Sequence, residues 1–378
     1  MLPAVCVIVA LLGLGDVDLS LPTWARAPAL RVHDWAAQGE AAARAAVELA
    51  SRPVVPARRR DPVPGGQDAP EPDPNQEPLL AAPSGALQRQ SGDLGKREAR
   101  RVRHAILAFD GARAMAHVHH LAEKIGPRPL GSEQEALAGR YIAATLEAAG
   151  WPVTSQDNIA LYGTKLRTRN IIATHPLCRG DERATVILGA HYDSCTLTAP
   201  SPGANDNASG VAVLLELARV MRTHRLPVEL RLVFFGGEER TPQQPEIHHV
   251  GSDAYVAEMT PAQRAETLAM LSVDMVGAGK QLSVCRTGYG GDAAMQDVLR
   301  AAEALGLRVD IGTTEPWSDH EAFELAGIPS AWLTRMDSAP HWHTAQDKAC
   351  HVGQFALTQT GRLVIRFLYC ASGRAGPV

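Results

Sequence analysis

The sequence of 378 residues is poor in cysteine: it has six, and no two of them stand at Cys-x-x-Cys spacing. Because that spacing is typical of thiolate zinc sites, a metal bound by this chain must use histidine and carboxylate ligands. An excess of positive charge is also missing, since the formal net charge is -4 and charges of both signs are well mixed. The chain therefore offers no basic surface for nucleic acid.

Long apolar runs are scarce as well. The apolar segment at residues 2–15 is too short to span a bilayer comfortably, but it has the length of the hydrophobic region of a signal peptide. Ala25-Arg26-Ala27 follows as a candidate cleavage site. We therefore expect residues 1–30 to be a signal peptide or membrane anchor, with the protein exported or associated with the cell envelope. A cytoplasmic protein with an apolar extension is the alternative.

Proline is concentrated in one stretch, with nine prolines at residues 53–83 among charged residues and glycine. Such a composition buries too little apolar surface to offset the entropy of the chain. We predict that residues 31–105 form a disordered linker and that residues 106–378 form the catalytic domain, with ordered structure beginning near Phe109.

Helical and strand patterns alternate from that point onward. The predicted strands cover residues 169–174, 185–190, 228–235, 269–275, 281–286 and 330–334. The predicted helices cover residues 111–125, 133–149, 208–223, 292–305, 320–326 and 352–369. This alternation predicts an α/β fold, a three-layer α-β-α sandwich with a central mixed, mainly parallel sheet.

Polar residues stand where two of these elements begin or end. His191 ends an apolar strand, and Asp193 is placed to accept a hydrogen bond from its imidazole. Asp206 lies in a turn of small residues before an apolar helix, where glycine lets the backbone approach a buried site closely. A structural histidine at a strand end, and an N-cap role for Asp206 or Asn207, are the alternatives.

Carboxylates mark two further strands. Glu238 and Glu239 follow the strand at 228–235, so one can bind a metal while the other reaches a metal-bound water. Asp274 stands in an apolar strand, where a buried carboxylate needs a strong partner such as a metal ion. A solvated acidic turn for the glutamates and an arginine partner for Asp274 are the alternatives.

The last candidate residues are histidines near the C-terminus. His343 is the candidate ligand there, whereas His320 and His341 are expected to support the site or to lie at the surface. His248 and His249 are expected in a loop over the site. One histidine and one carboxylate for each metal, with one shared carboxylate, make a nitrogen and oxygen ligand set that suits zinc, cobalt or manganese.

These segments, in this order, resemble the zinc aminopeptidases of metallopeptidase family 28, which also contains glutamate carboxypeptidase II and the glutaminyl cyclases. The matching stretches are residues 126–132, 191–194, 202–210, 234–239, 273–277, 318–320 and 343–344, with Asp347.

The resemblance implies a zinc-exopeptidase fold with two Zn²⁺ ions. His191 and Asp274 would hold one ion, Glu239 and His343 the other, and Asp206 would bridge them. Glu238 would be the general base, and the peptide bond after Asp206 would be cis.

The sequence departs from the family in two places. Trp342 stands where the family often has a tyrosine that stabilises the oxyanion, so the indole of Trp342 or the hydroxyl of Tyr289 would have to replace it. The loop at residues 240–249 is long and rich in proline. With Asp319, Trp342 and Tyr289 are the candidates for contacts with the substrate or for support of the site.

An aminopeptidase acting on peptides is the main functional prediction. A carboxypeptidase of the same fold is an alternative, and it would need an arginine clamp such as Arg240 or Arg335. A glutaminyl-cyclase-like enzyme with a single zinc is another. A binding module that has lost its metals is disfavoured, because all five candidate ligands and Glu238 are present.

Overall fold

The computed structural model describes residues 93–178, 184–313, 316–335 and 341–375. The expected signal peptide or anchor and nearly all of the expected linker lie outside these residues and stay predictions. Within the described ranges, no helix combines the length and apolarity needed to cross a membrane.

The first described helix, α1 (Asp93–Ala108), begins before the predicted domain boundary at residue 106. Its apolar side chains Val102, Ala105 and Ile106 are buried in the main core. The boundary was therefore placed too late, because three apolar residues at helical spacing are easily overlooked in a segment that is otherwise basic and polar.

Eight further α-helices and eight strands follow in the part of the chain that the structure describes. The helices are α2 (Gly111–His119), α3 (Glu133–Ala148), α4 (Ser209–Met221), α5 (Val250–Glu258), α6 (Pro261–Glu266), α7 (Ala293–Leu305), α8 (His320–Leu325) and α9 (Gln354–Ser372). The strands are β1 (Val153–Ala160), β2 (Arg167–Thr174), β3 (Thr185–His191), β4 (Glu229–Phe235), β5 (Thr267–Val273), β6 (Leu282–Arg286), β7 (Val309–Thr313) and β8 (Ser330–Thr334).

The strands form one sheet in the order β1-β2-β4-β3-β5-β8-β6-β7. Its centre, β4-β3-β5-β8, is parallel throughout. Strands β1 and β2 add antiparallel pairs on one side, and on the other β6 pairs antiparallel with β8 and parallel with β7. The predicted mixed, mainly parallel sheet is confirmed.

Successive residues of the central strands point to opposite faces of the sheet and pack into two separate hydrophobic cores, one on each face. In β3, Val186 and Leu188 join the main core with α1, α2, α3, α4, α7 and α9, whereas Ile187 packs with Tyr255 of α5 and Phe323 of α8. These two helical layers around one sheet confirm the three-layer sandwich.

Besides α1, two strands and two helices of the described residues are additional to the prediction. Strand β1 lies at an edge and is largely exposed, so it lacks the apolar pattern of a buried strand, and β7 is a short strand at the other edge. Helices α5 and α6 follow the loop at residues 240–249. Strand β5 ends at Val273, so Asp274 lies just beyond the strand and not inside it.

Candidate metal centre

Three neighbouring parallel strands deliver the candidate ligands to one edge of the sheet. His191 is the last residue of β3, the pair Glu238 and Glu239 follows β4 after two glycines, and Asp274 directly follows β5. Because the carboxyl ends of parallel strands lie side by side, residues distant in sequence meet here, where α/β proteins place their ligands.

Asp206 reaches the same edge from a turn with irregular backbone that precedes α4. The peptide bond between Asp206 and Asn207 is cis, as the resemblance implies. The Asn207 amide donates to the carbonyl of Val273 at 3.0 Å and accepts from the N–H of Gly210 at 2.9 Å. The N-cap residue of α4 is Ala208, so neither Asp206 nor Asn207 is the N-cap. Asn207 instead ties the start of α4 to the end of β5, and the Asp206 carboxylate points into the site.

Further side chains join the Asp206 turn to the segment after β5. Asn205 accepts hydrogen bonds from the N–H groups of Gly277 and Ala278, each at 2.9 Å, and Ser209 accepts from that of Val276 at 3.0 Å. A Cβ atom at Gly210 would lie 2.0 Å from the carbonyl oxygen of Val273. Glycine therefore permits the close approach that places Asp206 beside Asp274.

The two oxygens of Asp206 face different groups of side chains. Oδ1 lies 3.1 Å from Nε2 of His191, which is itself 3.4 Å from Oδ1 of Asp274. Oδ2 lies 3.3 Å from Nε2 of His343, which is 3.2 Å from Oε2 of Glu239. The structure thus brings the five predicted ligands into two clusters that share one carboxylate.

Cys195 is an addition to the second cluster that the sequence reasoning missed. Its buried sulfur belongs to a group of potential ligand atoms with those of Glu239 and His343, all within 4.8 Å of one another. Burial raises the pKa of the Cys195 thiol. No sequence pattern indicated it, because Cys195 stands outside any recognised cysteine spacing.

The protein alone leaves this site unsatisfied. Both ring nitrogens of His191, Oε1 of Glu239 and Oδ1 of Asp274 are buried and have no hydrogen-bond partner. Burial and then the charge of Asp206 raise the pKa of Glu239 to about 8, and burial raises that of Asp274 to about 6. Buried polar atoms are nearly always paired in folded proteins, so these unpaired atoms need a further partner. A metal cation held between the carboxylates and imidazoles would be such a partner, because zinc binds these ligand types.

Asp193 connects the two strand ends at this edge. Its Oδ1 lies 3.5 Å from Nδ1 of His191. The same fully buried carboxylate accepts hydrogen bonds from the backbone N–H groups of Glu238 at 3.1 Å and Glu239 at 3.0 Å. Asp193 thus lies beside the imidazole, but the predicted hydrogen bond to Nδ1 of His191 is not formed. Fixing the backbone of the glutamate pair is a role that the sequence did not indicate.

Two buried charged residues, Asp347 and Arg128, hold the backbone around the site, although neither was predicted as a site residue. Asp347 accepts hydrogen bonds from the N–H groups of Asn205 at 2.8 Å and Asp206 at 3.0 Å. The buried guanidinium of Arg128 donates to five backbone carbonyls, among them those of Tyr192, Pro202 and Gly203. Both residues lie in stretches that match the family, at residues 126–132 and at Asp347, but the match did not predict what either residue does.

Burial lowers the pKa of Arg128 to about 10, against the opposing effect of four carboxylates including Asp193 and Asp206. Arg128 therefore keeps its positive charge at neutral pH. Its positive charge partly balances the negative charges of the buried carboxylates at the site.

Glu238 has a histidine partner that the sequence reasoning placed only in a covering loop. Oε1 of Glu238 lies 3.1 Å from Nε2 of His249, and Nδ1 of His249 lies 3.1 Å from Oε2 of Glu321. Burial raises the pKa of Glu238, but His191 and His249 outweigh it, and the net pKa is below the ordinary value. Glu238 is therefore ionised and able to accept a proton.

A cavity opens over the two clusters, and aromatic side chains form much of its wall. Its lining includes Trp317, Trp332 and Trp342 together with Glu238 and Arg240. The rings of Trp317 and Trp342 are stacked with centroids 5.7 Å apart. Trp342 thus lies at the site, as its position before His343 suggests.

The remaining candidates are placed differently. Asp319 is fully buried, and burial followed by the charge of Glu238 raises its pKa to about 7. Tyr289 is 65% exposed and does not line the cavity. The carboxylate of Glu324 accepts hydrogen bonds from the backbone of residues 287–290 and fixes the Tyr289 loop.

The two arginines considered as clamps also differ. Arg240 is exposed at the wall of the cavity. Arg335 is buried and donates to the carbonyls of Gly279 and Lys280, each at 3.2 Å. Arg335 therefore has a structural role, and only Arg240 of the pair faces the cavity.

Sequence similarity to known proteins extends over part of the chain. Aminopeptidase YwaD of Bacillus subtilis (strain 168) is 33% identical over 193 residues, which are 49% of this chain and 40% of that protein. The chain thus spans less than half the length of this curated relative.

Solved structures share the fold over a larger part. A zinc aminopeptidase from Bacillus subtilis has a TM-score of 0.62 at 21% identity, over 69% of this chain and 95% of its own. The glutaminyl cyclase of Bacteroides thetaiotaomicron, bound to N-acetylhistamine, has a TM-score of 0.61 at 28% identity, over 69% of this chain and 98% of its own.

The profile of peptidase family M28 matches residues 170–368, more than half of the chain. This stretch contains the strands β3, β4, β5 and β8 and both clusters around Asp206. The chain therefore belongs to peptidase family M28.

Proposed function

We propose that this protein is a zinc-dependent aminopeptidase with two zinc ions. His191 and Asp274 would hold one ion, Glu239 and His343 the other, and Asp206 would bridge them. The observation that carries this proposal is the placement of Asp206, whose two oxygens each face a different histidine. All five side chains supply nitrogen or oxygen ligands, which zinc accepts.

The chemistry divides between the metals and Glu238. Bound zinc would polarise the scissile carbonyl and lower the pKa of a water molecule. Glu238 lines the cavity and is ionised, so it accepts the proton of the attacking water and returns it to the leaving amine. Asp193 holds the backbone of Glu238 while this happens.

An aminopeptidase is supported over a carboxypeptidase by two facts. The relative with 33% identity is named an aminopeptidase. Of the two arginines considered for a carboxylate clamp, Arg335 is buried and donates to the carbonyls of Gly279 and Lys280, so only Arg240 lines the cavity. The substrate is then a peptide with a free N-terminus.

The test is elemental analysis of the purified protein together with a chelator-reversible assay on aminoacyl-p-nitroanilides. Two zinc equivalents with amide hydrolysis are expected. Release of ammonia from a peptide with N-terminal glutamine, at one zinc equivalent and without hydrolysis, would instead identify a cyclase like the structural neighbour from Bacteroides thetaiotaomicron. Absence of bound metal and of both activities would favour a binding module.

A further inference from the structure

His249 lies between two carboxylates, and neither is one of the five proposed ligands. Its Nε2 is 3.1 Å from Oε1 of Glu238 and its Nδ1 is 3.1 Å from Oε2 of Glu321. The imidazole is almost fully buried, whereas Glu321 retains some exposure. The contact with Glu321 is a hydrogen bond, whereas the contact with Glu238 is a close ion-pair contact. A carboxylate oxygen only accepts, so an imidazole paired with both carboxylates carries a proton on each nitrogen.

The backbone holds His249 in this place. The residue adopts a left-handed conformation with φ of 57°, which is uncommon for residues other than glycine. Its N–H donates to the carbonyl of Glu238 at 2.9 Å, and the next N–H, of Val250, donates to Gly237 at the same distance. His249 also supplies the carbonyl that begins α5. The unusual conformation is thus tied directly to the residue that the imidazole contacts.

The charges around Glu238 explain why such a partner is useful. Asp206 acts on Glu238 as a like charge that favours its neutral form. Burial lowers the pKa of His249, but its contacts with Glu238 and Glu321 outweigh burial and raise the pKa to about 10. The contacts with Glu238 and Glu321 thus favour an imidazole with a proton on both nitrogens.

We propose that His249, held by Glu321, is a positioning residue for the Glu238 carboxylate. It fixes Oε1, so that the second oxygen of Glu238 faces the cavity. The proposal rests on the proposed role of Glu238 as general base. A misplacement of about 1 Å at a reacting group lowers rates by up to about 100-fold, so the effect falls on kcat.

Two substitutions separate this role from a structural one. The amide nitrogen of glutamine reaches the position of Nε2, so His249→Gln keeps a donor for Glu238 and loses the contact with Glu321. The amide of asparagine reaches only the position of Nδ1, so His249→Asn keeps the contact with Glu321 and loses Glu238. Asparagine also tolerates the left-handed conformation better, so a purely structural role favours His249→Asn.

The variants are compared in the zinc-loaded full-length protein by kcat and KM on leucine p-nitroanilide, zinc content and thermal unfolding. We expect His249→Asn to lower kcat by about 10- to 100-fold with KM within about twofold, and His249→Gln to keep most of the wild-type kcat. Zinc content stays at the wild-type value in both. Crystal structures of the zinc-free variants should show the Glu238 carboxylate displaced in His249→Asn alone.

His119→Gln, at an exposed histidine of α2 paired with Glu123, is the control and should match the wild type. Glu321→Ala, at a partly exposed residue, should lower kcat by a smaller factor than His249→Asn. This variant tests the proposal if a variant at His249 does not fold. Wild-type kcat in His249→Asn, or equal losses in both variants at His249, would overturn the proposal. A wild-type protein without zinc-dependent hydrolysis would instead refute the proposed function.

Discussion

Replacing Asp193 with asparagine should both destabilise the protein and slow its reaction. The fully buried carboxylate accepts backbone hydrogen bonds from Glu238 at 3.1 Å and Glu239 at 3.0 Å. Asparagine has the same shape but one acceptor oxygen, so its NH₂ group must face one of these N–H groups. One charge-assisted bond, which contributes about 1.5–3 kcal/mol, is then lost and leaves a buried donor unpaired. We expect a loss of about 3 kcal/mol in the free energy of unfolding.

The loss should appear as a fall in the unfolding midpoint of about 6–10 °C, measured by calorimetry in excess zinc with zinc content determined in parallel. Turnover on leucine p-nitroanilide should fall by about 100-fold, because the backbone of both glutamates shifts. Asp157→Asn is the matched control: its half-exposed carboxylate pairs with Arg169 at the surface, and the change should stay within about 1 kcal/mol. An unfolding free energy for Asp193→Asn equal to that of this control would refute the reasoning.

Four further outcomes are expected. Glu238→Gln should keep its zinc and lose turnover by about 100-fold or more, since it removes only the proton acceptor; full activity would exclude it as the base. Asp206→Ala should lose zinc from both clusters by elemental analysis, and normal occupancy would count against bridging. Gly210→Ala should destabilise by about 1–3 kcal/mol in urea titrations, because its Cβ would lie 2.0 Å from the carbonyl oxygen of Val273. Removing zinc with a chelator should lower the unfolding midpoint and zinc should restore it, whereas an unchanged midpoint would speak against a metal that balances the buried acids.

The central strands were predictable because each is an apolar run bounded by polar or glycine residues. His191 ends one such run, and the pair Glu238 and Glu239 follows another after two glycines, so the sequence indicates both their type and their edge of the sheet. Strand β1 was missed because an exposed edge strand needs no apolar pattern. Helix α1 was missed because only a few of its residues are buried.

The support of the site was less accessible. The contact of His249 with Glu238 depends on a left-handed backbone conformation at the end of a long loop, and no local sequence pattern specifies that geometry. The guanidinium of Arg128 acts on backbone carbonyls from three separate segments, which meet only in the folded chain. Local patterns predict elements, whereas these contacts are set by tertiary structure.

The position of the ligands along the chain has a consequence for folding. They extend from His191, at the end of β3, to His343, beyond β8, and the sheet between them is built from non-local strand pairs. Contacts of such high sequence separation form late and slowly. A partly synthesised or partly folded chain therefore has no complete ligand set. Zinc would stabilise only the finished domain, and its binding would report the completion of the sheet.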